Sequence, residues 1–445
     1  MSAETIYALS TVFGKSGVAV IRISGSSVLN VVKSMTNINI KEIKPRYAYF
    51  TDIKDGKTQN VLDKALILYF KSPHSFTGED VVEIQCHGSK AVLNSVFKSL
   101  SNIKNLRLAE PGEFSKRAFY NQKMDLTEAE GLADLIDAET SEQQRYAIKQ
   151  MEGNLKNLYT SWRQNLVKVL SYLEAYIDFP EENIPQNLYQ EILNTVFKTQ
   201  TEIENHLKNN DINERLKNGF NIVIAGSVNA GKSSLINALT KTNTMIVSDI
   251  EGTTRDSVDV NLDINGYPVV ITDTAGIRQT DNPIEKIGID IALKKVENAD
   301  IILALYDASQ GNFDSSILPD TTKDIIYIAN KSDKTDPNKL KEIEKKHHIT
   351  ISAKYNVGID SLVQKITDIL KERFSSSSNT LITRIRYREA LKECLSNLKT
   401  FSLDKEIELS AEDIRLACRA IGQITGEIKV SELLDNIFGS FCIGK

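Results

Sequence analysis

The octapeptide Gly226-Ser227-Val228-Asn229-Ala230-Gly231-Lys232-Ser233 restricts what this chain can fold into more than any other stretch. It follows Phe220-Asn221-Ile222-Val223-Ile224-Ala225, the unbroken run of a buried strand, and precedes Ser234-Leu235-Ile236-Asn237-Ala238-Leu239, which is helical in character. A G-x-x-x-x-G-K-S loop between a strand and a helix is one βα unit of a doubly wound sheet. Gly226 and Gly231 let the backbone wrap closely. Successive N–H groups from Asn229 through Ala230, Gly231, Lys232, Ser233 and Ser234, with the helix N-terminus, then cradle phosphate oxygens. Lys232 reaches the outer phosphates, and the Ser233 hydroxyl is a magnesium ligand.

Four further strands deliver the rest of a nucleotide site in order. Tyr267 to Thr272 runs into Asp273-Thr274-Ala275-Gly276, where Asp273 holds the magnesium through water and the Gly276 N–H senses the terminal phosphate. Asp300 to Asp307 is the next strand, and Ile325 to Ala329 delivers Asn330-Lys331-Ser332-Asp333. An acceptor-only carboxylate such as Asp333 takes hydrogen bonds from guanine N1 and its 2-amino group, donors that adenine does not present together. The base is therefore guanine. His348 to Ile351 ends in Ser352-Ala353-Lys354, whose backbone reaches the guanine carbonyl. These elements predict a GTP-binding domain over residues 217–373.

The flanks differ in pattern. Residues 1–120 alternate strand-like runs (Gly17 to Ile23, Leu62 to Phe70, Val81 to Cys86) with a helical stretch, Ala91 to Leu100, and read as a small α/β domain. Residues 121–216 are helical: Leu155, Leu158, Trp162, Leu166, Val169, Leu173 and Tyr176 form one apolar stripe that Pro180 ends. In 374–445, the polar linker Phe374 to Asn379 precedes a second helical block, where Ser410 and Asp413 make a capping box before Ile414, Ala417, Ile421 and Ile424. Its apolar face needs a partner, and the earlier block offers one. The fold class predicted is multidomain, α/β plus all-α, with one discontinuous helical domain into which the GTP-binding segment is inserted.

A net charge of −5 argues against a general nucleic-acid binder, so a nucleic-acid substrate requires a local basic patch or a partner's surface. The four cysteines, Cys86, Cys394, Cys418 and Cys442, are scattered without zinc-site spacing, which points to reduced thiols in the cytoplasm. The start lacks the pattern of a signal peptide, and no apolar run reaches the roughly 18 residues of a membrane span. The terminal Cys442-Ile443-Gly444-Lys445 mimics a prenylation signal, but Gly444 is not aliphatic and Lys445 is not an accepted last residue.

Between the P-loop and Asp273 lies "SDIEGTTRD", which resembles the switch region of the Era, EngA and MnmE (TrmE) group of potassium-dependent GTPases. With Asn229, Glu285 in "NPIEKIGI", the layout of the segments and the terminal "FCIGK", the whole chain resembles the MnmE family of tRNA modification GTPases. The resemblance implies that Thr254 is the second hydroxyl on magnesium and that Ser248, Asp249, Ile250, Glu251, Gly252 and Thr253 belong to the GTP site. It implies further that Asn229, Ser248, Ile250 and Thr253 bind potassium where an arginine finger would put its charge, so that hydrolysis is faster in potassium than in sodium. Ile277 stands where Ras-like GTPases place a water-orienting Gln, and the family's water-positioning Glu matches Glu285. From spacing alone, Glu285 reads as a charged residue on a solvated helix.

The same resemblance implies a homodimer built through the N-terminal domain, with a 5-formyl- or methylene-tetrahydrofolate held by Arg22, Glu83, Lys123 and Lys445. Read from the residues alone, Arg22 on a strand and Glu83 near His87 are each an ordinary charge, solvated or paired. Cys442 is either a reactive thiol near the one-carbon unit or a small buried thiol. The implied reaction adds a (carboxymethyl)aminomethyl group to C5 of the wobble uridine of certain tRNAs, with an MnmG (GidA)-type FAD protein as partner. The rival reading is a ribosome-assembly switch like Era or EngA. Those would show a KH-type domain or a second GTPase repeat, and this chain has one P-loop and a helical C-terminal block.

Overall fold

The computed structural model describes residues 4–179, 185–208, 215–227, 229–245, 259–273, 296–311, 313, 323–375, 384–427, 431–442 and 444. The chain divides into two compact units. One comprises Met1–Ala133, Met151–Arg163 and Arg419–Lys445, the other Asp134–Gln150 and Gln164–Cys418. Among the described residues no helix is long and apolar enough to cross a membrane.

The first unit is built on a six-stranded sheet in the order β3-β4-β5-β2-β1-β6. Its strands are β1 (Thr5–Leu9), β2 (Ser16–Ser24), β3 (Ala48–Lys54), β4 (Val61–Phe70), β5 (Val81–Gly88) and β6 (Leu106–Leu108). All neighbours are antiparallel except β1 and β6. Strand alternation sorts the two faces. Ala19, Ile21 and Ile23 of β2 and Val82, Ile84 and Cys86 of β5 join the core formed with the helices Val28–Met35 and Lys90–Ser101. Arg22 and Glu83, opposite each other in register, belong to the other face.

The helix Leu126–Ile136 begins in a reciprocal cap. Asp125 Oδ1 accepts from the Glu128 N–H (2.8 Å) and the Thr127 hydroxyl (2.9 Å), while Glu128 Oε2 accepts from the Asp125 N–H at 2.7 Å. Asp125 Oδ2 is buried without a partner among the described residues. Burial pushes the Asp125 carboxyl from 3.8 up to about 6, against the pull of its hydrogen bonds. The folded state therefore holds this proton more tightly than the unfolded chain. That stabilisation is present at low pH and is lost as pH rises from about 4 through 6, leaving an ionisation cost of about 3 kcal/mol at neutrality. Asp125→Asn keeps the cap and removes the charge. Its thermal midpoint should exceed that of the parent at pH 7.5, with the difference vanishing near pH 4; equal midpoints at pH 7.5 would refute the assignment.

In the second unit the sheet order is β13-β12-β11-β7-β10-β9-β8. The strands are β7 (Phe220–Gly226), β8 (Thr244–Met245), β9 (Asp259–Ile264), β10 (Tyr267–Asp273), β11 (Ile301–Asp307), β12 (Asp324–Asn330) and β13 (Ile349–Thr350). β7 and β10 to β13 run parallel, and β8 and β9 close one edge antiparallel. β11, buried along its whole length, reads as the continuous apolar run that a central parallel strand requires. The helices Lys232–Thr242 and Ile359–Ser375 contribute Leu235, Leu239, Leu362 and Ile366 to the core beneath the sheet.

The helix Ser141–Met151 meets this α/β body. Tyr146 packs near Phe374, which also contacts Phe220 and Tyr267. The Glu142 N–H donates to the Gly266 carbonyl, and the Gln143 amide donates to that of Leu216. Asp134 Oδ1 pairs with Lys217 at 3.4 Å and with Arg384 at 2.6 Å, at either end of the α/β segment. Nearby in this unit, Ile385–Thr400 packs on Gln186–Lys208, with Lys399 paired to Glu204 at 3.0 Å.

The expected capping box at Ser410 and Asp413 is not one. Both lie inside the helix Ile407–Thr425, whose first turn closes on the Glu406 carbonyl. Ser410 Oγ instead donates back to the Ser402 and Glu406 carbonyls, and Asp413 accepts from Lys405 and Thr400. A Ser in mid-helix satisfies its hydroxyl on the preceding turn, so the S-x-x-D pattern alone does not mark a start. Pro180 lies outside the described residues, just beyond the helix Asn154–Asp178.

Candidate functional site

The loop after β7 is shaped by close backbone approaches. A side chain at Gly226 would place its Cβ 2.2 Å from the Leu305 carbonyl oxygen, and one at Gly231 (φ +98°) would lie 2.3 Å from Asn330 Nδ2. Asn229 is also left-handed, at φ +66°. The helix starts at Lys232, whose ammonium turns back to the carbonyls of Gly226 (3.0 Å) and Ser227 (3.3 Å). Charged phosphate oxygens outcompete neutral carbonyls for such a donor. Burial lowers the Lys232 pKa, and Asp273 opposes the shift. Asp273, at the end of β10, is raised by burial and lowered by Lys232.

Asp273 Oδ1 is buried with no hydrogen-bond partner among the described residues. An orphaned carboxylate oxygen together with the exposed Ser233 in the first helical turn is a hard-oxygen set suited to a hydrated magnesium ion.

At the other end of the site one side chain spans three segments. Asn330 Nδ2 donates to the Ala230 carbonyl at 2.8 Å, and its Oδ1 accepts from the Ala353 N–H at 3.1 Å. Ser352 Oγ donates to Asp333 Oδ1 at 2.7 Å, and the Ser332 N–H donates to the Ile351 carbonyl. Asp333 itself is exposed. Lys331, left-handed at φ +63°, sends its ammonium to Asp307 Oδ2 at 2.8 Å. The Lys354 ammonium sits 4.9 Å from the Tyr355 ring centroid. Asp307 was missed in the sequence; its signal is an acidic residue ending an apolar strand. Ser248, Asp249, Ile250, Glu251, Gly252, Thr253, Thr254, Thr274, Ala275, Gly276, Ile277 and Glu285 lie outside the described residues.

In the first unit Arg22 and Glu83 form an ion pair, with Nε to Oε1 at 3.0 Å. Phe76 and Phe114, also absent from the sequence reading, lie 5.3 and 5.9 Å from the Arg22 guanidinium. Lys123 packs its stem against Gly78, where a Cβ would come within 3.2 Å. The C-terminal tail runs along the end of β1: the Ser10 hydroxyl donates to the Gly444 carbonyl at 3.0 Å, and the Gly112 N–H reaches the Cys442 carbonyl. Cys442 is exposed, on the wall of an open cavity of about 410 Å³ with Leu9, Phe13, Phe97 and Leu108. Lys445 lies outside the described residues.

A doubly wound sheet whose P-loop, orphaned Asp273 carboxylate and N-K-x-D turn converge at the strand C-termini defines a P-loop GTPase. Residues 126–442 match the MnmE helical domain, and residues 5–123 match the GTP-binding protein TrmE N-terminus. The tRNA modification GTPase MnmE of Rickettsia akari is 47% identical over 99% of this chain and 100% of its own length. That of Rickettsia prowazekii is 46% identical with the same coverage. Among solved structures, a variant of Aquifex aeolicus Era bound to GDP and AlF4− is 28% identical over 40% of this chain and 66% of its own, with a TM-score of 0.29. The chain belongs to the tRNA modification GTPase MnmE family. It is a GTP-binding, GTP-hydrolysing enzyme of tRNA modification.

Proposed function

We propose that GTP hydrolysis in this protein gates the addition of a (carboxymethyl)aminomethyl group to C5 of the wobble uridine of certain tRNAs, carried out in the cytoplasm with an MnmG-type FAD partner. The observation that carries the GTPase half is the pair of hydrogen bonds made by the Asn330 amide. By tying the Ala230 carbonyl to the Ala353 N–H, it fixes the phosphate end and the base end of the site with one side chain.

Asn229 to Ser234 cradle the phosphates, Lys232 neutralises the outer ones, and Asp333 reads the guanine edge beside Ser352 and Lys354. Ser233, Thr254 and Asp273 hold magnesium, which when bound offsets the phosphate charge. Asn229, Ser248, Ile250 and Thr253 hold potassium, which when bound supplies the positive charge of an absent arginine finger. Glu285 orients the attacking water in place of the missing glutamine, and Thr274 to Gly276 sense the terminal phosphate. In the N-terminal domain of a homodimer, Arg22, Glu83, Lys123 and Lys445 hold a formyl- or methylene-tetrahydrofolate, the source of the one-carbon unit. Cys442 borders that site. Segments 1–120, 121–216 with 374–445, and 217–373 serve as its folate, helical and GTPase domains.

Nucleoside analysis of tRNA from a strain lacking the gene should show wobble uridines without the C5 aminomethyl group, restored by the intact gene. Unaltered uridines in the deletion strain would overturn the proposal.

A further inference from the structure

We propose that Asp307 is a positioning residue for base recognition: it captures the Lys331 ammonium and so keeps the Asp333 carboxylate free for guanine. The inference rests on the reading of Asp333 as the guanine acceptor.

Asp307 ends β11 directly opposite Asn330 in the strand register, and the adjacent Ala308 N–H donates to the Asn330 carbonyl. Its side chain is buried and fully engaged. Oδ1 accepts from the Ser309 N–H (2.9 Å) and hydroxyl (2.6 Å), and Oδ2 accepts from Lys331 Nζ at 2.8 Å. Burial works against ionisation here, but Lys331 and Ser309 outweigh it and hold the carboxyl below its ordinary range.

The turn carries two ammonium groups, Lys331 and Lys334, and Lys331 is the one that Asp307 holds. A lysine carries its charge on a flexible four-carbon stem, and an ammonium released two residues from an exposed carboxylate pairs with it. Asp333 would then have acceptor capacity taken from both sides, since Ser352 Oγ already occupies Oδ1. A carboxylate engaged by Ser352 and by an ammonium accepts poorly from guanine N1 and the 2-amino group together. The left-handed backbone of Lys331 is one that non-glycine residues adopt at a cost, and the Asp307 contact helps to hold it. The Lys354 ammonium sits over Tyr355, which together with the Asp333 charge raises its pKa.

The test uses the full-length protein with fluorescent GDP and IDP, the latter lacking the 2-amino group. Asp307→Asn should weaken GDP binding by about tenfold, the worth of one hydrogen bond to a charged group, and IDP binding clearly less. In a Lys331→Met background the same change should leave the GDP-to-IDP ratio as it stands, because no ammonium is left to release. Asp307→Glu keeps a carboxylate for the Lys331 ammonium and should retain the parent ratio, which keeps the proposal testable if Asp307→Asn does not fold. An unchanged GDP affinity in Asp307→Asn, an equal loss for both nucleotides, or a collapsed ratio in Asp307→Glu would overturn it. Asp333→Asn checks the underlying reading separately: a preserved preference for GDP there removes the base acceptor itself, whatever Asp307 does.

Discussion

Lys232→Ala should lower single-turnover GTP hydrolysis by about 10³-fold, the loss seen when one preorganised donor is removed from a charge-stabilising site. The residue is 9% exposed, and its ammonium is held in the loop by the Gly226 and Ser227 carbonyls until phosphate oxygens replace them. A charge in such a desolvated pocket acts at a far lower effective dielectric than on a surface. Lys232→Arg should not restore the rate, because a planar guanidinium cannot occupy the place of a compact ammonium between two loop carbonyls. Circular dichroism should be unchanged, since no core contact is lost. Hydrolysis within tenfold of the parent would contradict this placement of the lysine.

Gly112→Ala should cost the first unit about 3 kcal/mol or more and lower its thermal midpoint by about 5 °C or more. Gly112 has φ +63°, and an added Cβ would lie 2.3 Å from the Phe438 carbonyl oxygen and 3.0 Å from its carbon. Both are backbone atoms of the helix Ser431–Gly439, so the helix itself must shift. That displacement would withdraw Phe438 and Leu434 from Phe119, Leu126 and Ala129, and stretch the 2.6 Å pair between Lys116 and Asp435. Burying a single Phe side chain is worth about 2–3 kcal/mol, to which the left-handed strain of alanine adds about 1–2. A midpoint within a degree of the parent would show that the helix is not seated on Gly112.

The nucleotide-binding half of the fold was legible because each parallel strand is a continuous apolar run that ends in a chemically marked turn. β9, "DVNLDI", was not, because a short strand alternating apolar and polar residues resembles a loop. β1 and β3 were lost for related reasons: the first is five residues long, and the second leaves Phe50 exposed at the sheet edge. At the site, spacing names Asn330 but not its bond to Ala230, a contact between a strand end and a loop a hundred residues apart. Nor does it place Phe76 and Phe114 over Arg22, since cation–π partners carry no sequence period. Within the terminal "FCIGK", unreadable as a local motif, Gly444 acquires a place only through the Ser10 hydroxyl just after β1.

The double pairing of Asp134 with Lys217 and Arg384 has a consequence for the history of such a chain. A segment that leaves and returns at one carboxylate can change length at little entropic cost, about 0.6 kcal/mol for each doubling, because its ends are already closed. The helices on either side need no redesign when what lies between them is enlarged, exchanged or removed. A body joined at such a point is a transferable part, open to change without disturbing the helices that hold it.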